Sequence, residues 1–440
     1  MYLLLVALFI LLGAILLYSR VRAHRFWLVL LVLTLPIASV NEVGGVEVNF
    51  SLSDTVMIGL LLHAVTLSAV AKRTLRLPLL GLITPFFLWV LISMMIGVNR
   101  FGSGSNSLYI ISLGKFIALF GYFFAVVNLV RSHDDFRLFL RTWLVTSTLV
   151  GTLGIIGSLL YITTGTTTPF NEGFRAHGTL DEANLFAAYS LLSFFLGVAL
   201  LTGSSEGRAR LWILLSMSVQ VLAIVFSASR GATVAFLLSA LALAIVCGSL
   251  RLRLAMLAAA AMPVLLFFTI PLASPEVRGK LDLVVNRLAS AQDLESRAHV
   301  QRYFLWTHAV SLFEENPLFG VGSGNYKAII ANDREMRLTK TAHNTFLRIL
   351  SETGLVGLLL FLAFLSYSAG ILLRRIARRR TVAQAPMAAC LLAGLIAIAI
   401  HGLASDFGNF RGFWTLLGLI YAFHAFSLST SQPHSLGHAI

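Results

Sequence analysis

The chain has 440 residues, 58% of them hydrophobic and only 12% charged, with a formal net charge of +14. Apolar runs of about 20 residues recur from end to end, each long enough to span ~30 Å of hydrocarbon as a helix. This excludes a soluble globular enzyme and makes length-based counting of soluble domains inapplicable.

The positive charge does not mark a nucleic-acid binder. Six short loops hold 18 of the 33 Lys and Arg residues: Arg20/Arg22/Arg25, Lys72/Arg73/Arg76, Arg131/Arg137/Arg141, Arg208/Arg210, Arg251/Arg253 and Arg374/Arg375/Arg378/Arg379/Arg380. They alternate with loops poor in Lys and Arg, which is the positive-inside pattern, so the basic loops are expected in the cytoplasm. Candidate spans fall at about 2–18, 27–40, 55–71, 78–98, 108–129, 142–162, 184–202, 211–228, 231–249, 254–272, 346–373, 384–404 and 411–428. The expected architecture is an all-α polytopic membrane protein with 12–13 transmembrane helices and one large, mostly helical outer loop. Residues 1–272 form a first membrane bundle, 273–345 the loop domain, and 346–440 the C-terminal spans and a short cytoplasmic tail. No basic residue precedes the first apolar run, which reads as a retained helix and not a cleaved signal peptide. Cys247 and Cys390 lie in separate apolar runs and suggest neither a disulfide framework nor a metal site.

Taken in order, the first six spans carry one ionisable candidate, Lys115, which either functions inside the membrane or snorkels to its edge. The outer loop at 163–183 is densely polar, with Arg175, His177, Gly178, Asp181 and Glu182 leading to Asn184. It reads either as a binding loop or as a solvated turn in which Asp181 or Glu182 pairs with Arg175. A tight outer turn, Ser227-Ala228-Ser229-Arg230-Gly231, then places an Arg on the side where Lys and Arg are disfavoured.

The segment 273–345 is nearly neutral, with nine basic and eight acidic residues. Leu281, Val284, Val285 and Leu288 mark one amphipathic helix, and Val300, Tyr303, Phe304, Trp306, Val310 and Phe313 a second. Asp293-Leu294-Glu295 is the one acidic pair there with metal-like spacing, and it also suits a cap for the second helix. Pro317 and the run Gly320-Val321-Gly322-Ser323-Gly324 break helix. That run is either a plain loop or a backbone cradle for phosphate.

The segment ends on His343-Asn344, just before the apolar run from Phe346 to Leu373. His343 is thereby expected at the water–lipid boundary, as a cap or loop residue or as a base acting on a lipid headgroup. Gly354 and Gly357 offer close packing to a neighbouring helix. Arg230, the Arg297/Arg302 region and His343 are expected at one membrane depth. Guanidinium forks suit phosphate oxygens, and a His accepts a proton near neutral pH. The combination fits metal-free group transfer from a lipid pyrophosphate, with no cofactor.

Here the sequence resembles the O-antigen ligase and polysaccharide polymerase superfamily of bacterial inner membranes, over roughly 170–370. The sharpest part is a ligase pattern: His followed by Asn, Ser or Gln, nine residues, Gly, two residues, then Gly, Thr or Tyr. His343-Asn344, Gly354 and Gly357 satisfy it. Supporting similarities are Ser229-Arg230-Gly231, Arg302 to Trp306, Pro317 to Gly322, and Arg175-x-x-Gly178 through Asn184. The resemblance implies a periplasmic glycosyltransferase that moves a glycan from undecaprenyl pyrophosphate to a sugar hydroxyl of the lipid A core, with inversion and without metal. It implies that Arg230 and Arg302 hold the pyrophosphate and that His343 is the base. Arg297 is a near alternative to Arg302, and Arg175, His177 and Asn344 are secondary candidates. Polymerases of the superfamily typically carry two large outer loops, each with an Arg, ten residues and a Gly. This chain has only one large outer loop, and its arginines at 278, 287, 297 and 302 fail that spacing, which favours ligase over polymerase. A transporter is the alternative from another class. It would place charges near the bilayer midplane, whereas most ionisable groups here lie in loops.

Overall fold

The structure is a computed structural model that describes residues 23–37, 40–43, 46–49, 51–71, 75–76, 80–101, 106–204, 207–246, 253–259, 261, 297–331, 341–377 and 384–429. The chain is an all-α multi-pass membrane protein. Its helices are α1 (Ala23–Thr34), α2 (Leu52–Ala71), α3 (Leu80–Phe101), α4 (Asn106–Leu129), α5 (His133–Thr164), α6 (Ala183–Thr202), α7 (Gly207–Phe226) and α8 (Arg230–Val246). They continue with α9 (Arg297–Glu315), α10 (Asn325–Ala331), α11 (Thr345–Ala377), α12 (Gln384–His401) and α13 (Arg411–Ser429). Two short antiparallel ribbons, β1 (Val40–Val43) with β2 (Val46–Asn49) and β3 (Asn171–Glu172) with β4 (Arg175–Ala176), are the sheet elements among the described residues. Six described helices are long and apolar enough to cross a membrane: those at 83–100, 133–164, 183–202, 207–226, 345–377 and 384–401. Shorter apolar helices lie at His24–Thr34, Leu52–His63, Leu113–Leu129 and Arg230–Val246.

The expected span at 2–18, most of that at 254–272, the first amphipathic loop helix, Asp293-Leu294-Glu295 and Cys247 lie outside the described residues. The second loop helix forms, as α9. The remaining spans match helices, except that α1 stops at Thr34, short of the expected 40, which falls in β1; the largest shift has a clear cause. α5 begins nine residues before the expected 142 because the Ser132 side chain accepts from the Asp135 N–H and caps it. Its 32 residues reach roughly 48 Å at 1.5 Å per residue, so its polar first turns extend past the hydrocarbon.

The bundle core is centred on α6, nearly all of whose span is buried. α6 packs against α7 and α12, α12 also against α8, α4 against α13, and α3 and α9 against α11. Loops and helix ends sort to two ends of this bundle. At one, Arg25 pairs with Asp135 at 3.0 Å, close to Arg131. At the other, the starts of α6, α8 and α11 meet the ends of α7 and α12.

α11 is broken at Gly354, where φ is 70° and ψ −173°. A break in a membrane helix frees backbone groups that lipid cannot satisfy, and here neighbours bond several of them. The Val321 and Gly322 N–H groups donate to the Ser351 and Glu352 carbonyls, both at 2.9 Å, and the Leu355 N–H donates to the Pro317 carbonyl at 2.8 Å. From α3, Ser93 Oγ donates to the Glu352 carbonyl at 2.7 Å and Trp89 Nε1 to the Thr353 carbonyl at 2.9 Å. The glycine run after Pro317 therefore serves the break. A Cβ on Gly320 would enter the backbone of Glu352 and Thr353, and one on Gly354 would enter the backbone of Leu318. The close packing expected at Gly354 is made by this loop and not by a helix, while at Gly357 it is made by Trp89 of α3.

Candidate active site

The two residues that precede α11 are held from three sides. Trp306 Nε1, on α9, donates to the Ala342 carbonyl at 2.9 Å. The Asn344 side chain caps the helix, its Oδ1 accepting from the Phe346 and Leu347 N–H groups at 3.0 and 3.1 Å. The Thr345 N–H donates to the Gly402 carbonyl at 2.9 Å, at the end of α12. Between these anchors His343 is forced to φ 47°. That left-handed conformation costs a non-glycine residue roughly 1–2 kcal/mol, and it persists only where the surroundings impose it.

Arg302 lies one helical turn before Trp306 on α9, so the two share a helix face. The bond that ties Trp306 to Ala342 thus anchors the α9 face that carries Arg302 to the residue before His343. Arg297 is the first residue of α9, and its side chain lies outside the described residues.

Arg230 opens α8 after a turn that is strained in the same way, with Ala228 at φ 50°. Among the described residues Ala228 and His343 are the two non-glycine residues at positive φ. Each adjoins a residue singled out from sequence or is that residue. Arg175 fixes the turn: its Nε donates to the Ser227 carbonyl at 3.0 Å and its Nη2 to Asn184 Oδ1 at 3.1 Å. Arg175 is thereby committed to holding the α7–α8 turn on the start of α6. His177 supports the same hairpin through backbone bonds with Phe170 and Leu180, and its buried Nδ1 has no hydrogen-bond partner among the described residues. Partial desolvation raises the Glu182 carboxyl above its ordinary value, with Asp406 and Asp181 adding to the shift and Arg175 opposing it.

One residue that sequence reasoning passed over joins these parts. His401, the last residue of α12, is 1% exposed and donates from Nε2 to the Asn184 carbonyl at 3.1 Å. Its ring lies against Gly231, and the Arg302 charge acts on it. The next residue, Gly402, holds Thr345. A continuous path therefore runs from Arg230 through Gly231, His401, Gly402 and Thr345 to His343, and back through Ala342 and Trp306 to Arg302. The signal available in sequence was a His closing an apolar run just ahead of the polar Ser405-Asp406.

Residues 213–362 match the family model described as O-antigen ligase. The match supports the O-antigen ligase and polysaccharide polymerase superfamily for this chain, and Arg230, Arg302 and His343 all fall inside the matched segment. A search of curated proteins returned no match.

A second cationic group lies at the same end of the bundle as these residues. Arg411 forms a two-pronged pair with Asp54, Nε to Oδ1 2.9 Å and Nη2 to Oδ2 2.7 Å, and Tyr122 donates to the same carboxylate at 2.8 Å. Lys115 has Lys327, Arg411, Asp54 and Arg348 as its charged neighbours. The lysine lies inside α4, within the stretch expected to span. Tyr326 ties α10 to α9 through its hydroxyl, which donates to the Leu305 carbonyl at 2.6 Å; burial, with Glu352 adding, pushes that hydroxyl well above its usual range. Among the described residues no group of three or more His, Cys, Asp or Glu is placed to hold a metal ion.

Proposed function

We propose that the protein is a lipid-linked glycosyltransferase of the O-antigen ligase type. It moves a glycan from undecaprenyl pyrophosphate to a sugar hydroxyl of the lipid A core, without a metal or a cofactor. The observation that carries this reading is the path that links Arg230, Arg302 and His343 at one end of the bundle, within the family-matched segment.

In this reaction Arg230 and Arg302 bind the two phosphates, where planar forks match the oxygens and offset the charge that grows on the leaving group. His343 takes the proton of the acceptor hydroxyl as its oxygen attacks the anomeric carbon. The bond from that carbon to the pyrophosphate oxygen breaks in the same displacement, so the configuration inverts. Undecaprenyl pyrophosphate leaves with the electron pair, and the proton rests on His343. The donor, the acceptor and the surrounding lipids are the partners this requires.

The site faces the periplasm of a bacterial inner membrane. Support comes from charge: Arg25, Arg131, Arg208, Arg374 and Arg375 lie at the helix ends opposite to Arg230 and His343, as expected for a cytoplasmic side. The test is purified protein in nanodiscs with lipid-pyrophosphate glycan and lipid A core, followed by gel analysis. A ladder shifted onto the core is the expected result. Elongation of the lipid-linked glycan without core identifies a repeat-unit polymerase instead, and absence of both products leaves a transporter.

A further inference from the structure

The His401–Gly402 step touches both halves of the site, and its ring has no role in the reaction above. His401 Nε2 donates to the Asn184 carbonyl at 3.1 Å. A carbonyl only accepts, so Nε2 carries the hydrogen in this bond. Nδ1 lies 3.4 Å from the point where a side chain on Gly231 would begin, and the Gly231 backbone is a second polar neighbour of the ring. That same point is 2.8 Å from the Ala404 Cβ, so the absence of a side chain at 231 is what lets α8 approach the end of α12. On its other side Asn184 is gripped by Arg175, which also holds Ser227. The His401 ring is therefore the wedge between the starts of α6 and α8, with Arg302 near enough for its charge to act on the ring.

We infer that His401 is a positioning residue: bonded to Asn184 and packed on Gly231, it fixes the Arg230 turn relative to Arg302 and so sets the spacing of the two-arginine pyrophosphate site. This rests on the proposed function, which assigns the pyrophosphate to those arginines. Loss of the bond removes the tie between the end of α12 and the start of α6 and lets the turn shift, and an error of about 1 Å in such a constellation is costly. The defect is expected in binding of the phosphate groups and not in the acceptor.

The experiment measures binding of farnesyl pyrophosphate to the full-length protein in nanodiscs, with thermal unfolding recorded for each variant. His401→Leu keeps most of the volume and removes the donor. It is expected to weaken binding about tenfold, the equivalent of one lost buried hydrogen bond, with the KM for acceptor unchanged. His401→Gln retains an N–H able to reach Asn184 and is expected to recover to within about threefold. Gly231→Ala leaves the imidazole in place but spreads α8 from α12, and it is expected to reproduce the binding loss. This variant keeps the inference open to refutation should His401→Leu fail to fold. A folded His401→Leu or Gly231→Ala that binds the probe as tightly as the wild type overturns the positioning role. So does a His401→Gln no better than His401→Leu, because a plain spacer gains nothing from the donor. Arg230→Ala is the control: if it too binds like the wild type, or if the wild type does not bind, the pyrophosphate reading itself fails.

Discussion

Arg348 reaches from the first turns of α11 to Asp406 in the α12–α13 connection, its Nε 2.9 Å from Oδ2, while its Nη1 lies 3.2 Å from Glu352 Oε2. All three side chains are largely buried, at 14%, 8% and 5% exposure. A cation shared by two carboxylates ties the broken helix to the segment that carries His401 and Gly402. Removing one partner of a buried pair leaves an uncompensated charge, at a cost of about 3–5 kcal/mol. Arg348→Leu is expected to lower the thermal unfolding midpoint in detergent markedly. Adding Asp406→Asn to it should recover part of the loss. Additive loss in the double variant would show that the two side chains do not act as a pair.

The break at Gly354 predicts an asymmetry between two glycines of one motif. At Gly354 the backbone is left-handed and the loop carbonyl of Leu318 occupies the place of a Cβ. At Gly357 the backbone is helical, and the nearest atoms to an added Cβ are Oγ1 and Cβ of Thr353 on the same helix. Gly354→Ala should therefore destabilise by several kcal/mol, beyond the ordinary glycine–alanine difference of about 1 kcal/mol. Gly357→Ala adds no left-handed backbone strain and should be the milder of the two. Fluorescence-detected size exclusion after heating ranks the two, and equal midpoints would count against the break.

How far the sequence could be read follows from the physics of each signal. Apolar runs are local and one-dimensional, so the spans from 27–40 to 411–428 were legible wherever residues are described. Polar helical turns beyond the lipid leave no such trace, hence the late start expected for α5. The resemblance to the ligase superfamily was legible from Arg230, Arg302 and the motif at His343. The use of the glycines after Pro317 was not, because a cradle for phosphate and a cradle for helix carbonyls need the same residues. His401 was invisible for a different reason: its meaning lies in Asn184 and Gly231, which are distant in sequence and adjacent only after α6, α8 and α12 pack. Asn344 shows the opposite case. It stood among the site candidates, and local geometry now commits its side chain to capping α11.

Arg230→Lys and Arg302→Lys preserve charge and test geometry. An ammonium is a point donor and cannot make the two-pronged contact of a guanidinium with phosphate oxygens. One charge-assisted contact of ~1.5–3 kcal/mol, acting in the transition state, is worth roughly ten- to a hundredfold in rate. Each Lys variant is expected to lose that much transfer at equal membrane abundance. Near-normal turnover in both would remove the arginine clamp from the mechanism.

His343 allows stability and chemistry to be separated at one position. Its φ of 47° favours glycine, so the imidazole is retained there against the backbone's own preference. A sugar hydroxyl is a poor nucleophile near neutral pH, and an imidazole has the reference pKa suited to accept its proton. His343→Gly should leave the unfolding midpoint unchanged or slightly raised, because the turn relaxes while Asn344 still caps α11. His343→Ala keeps the strain and should be no more stable than the wild type. In both, donor binding should persist while single-turnover transfer falls by about a hundred- to ten-thousandfold, the usual worth of general-base help. A residue that served only to shape the turn would give the reverse, with glycine fully active. Transfer by His343→Gly within a few-fold of the wild type, with donor bound, would rule His343 out as the base.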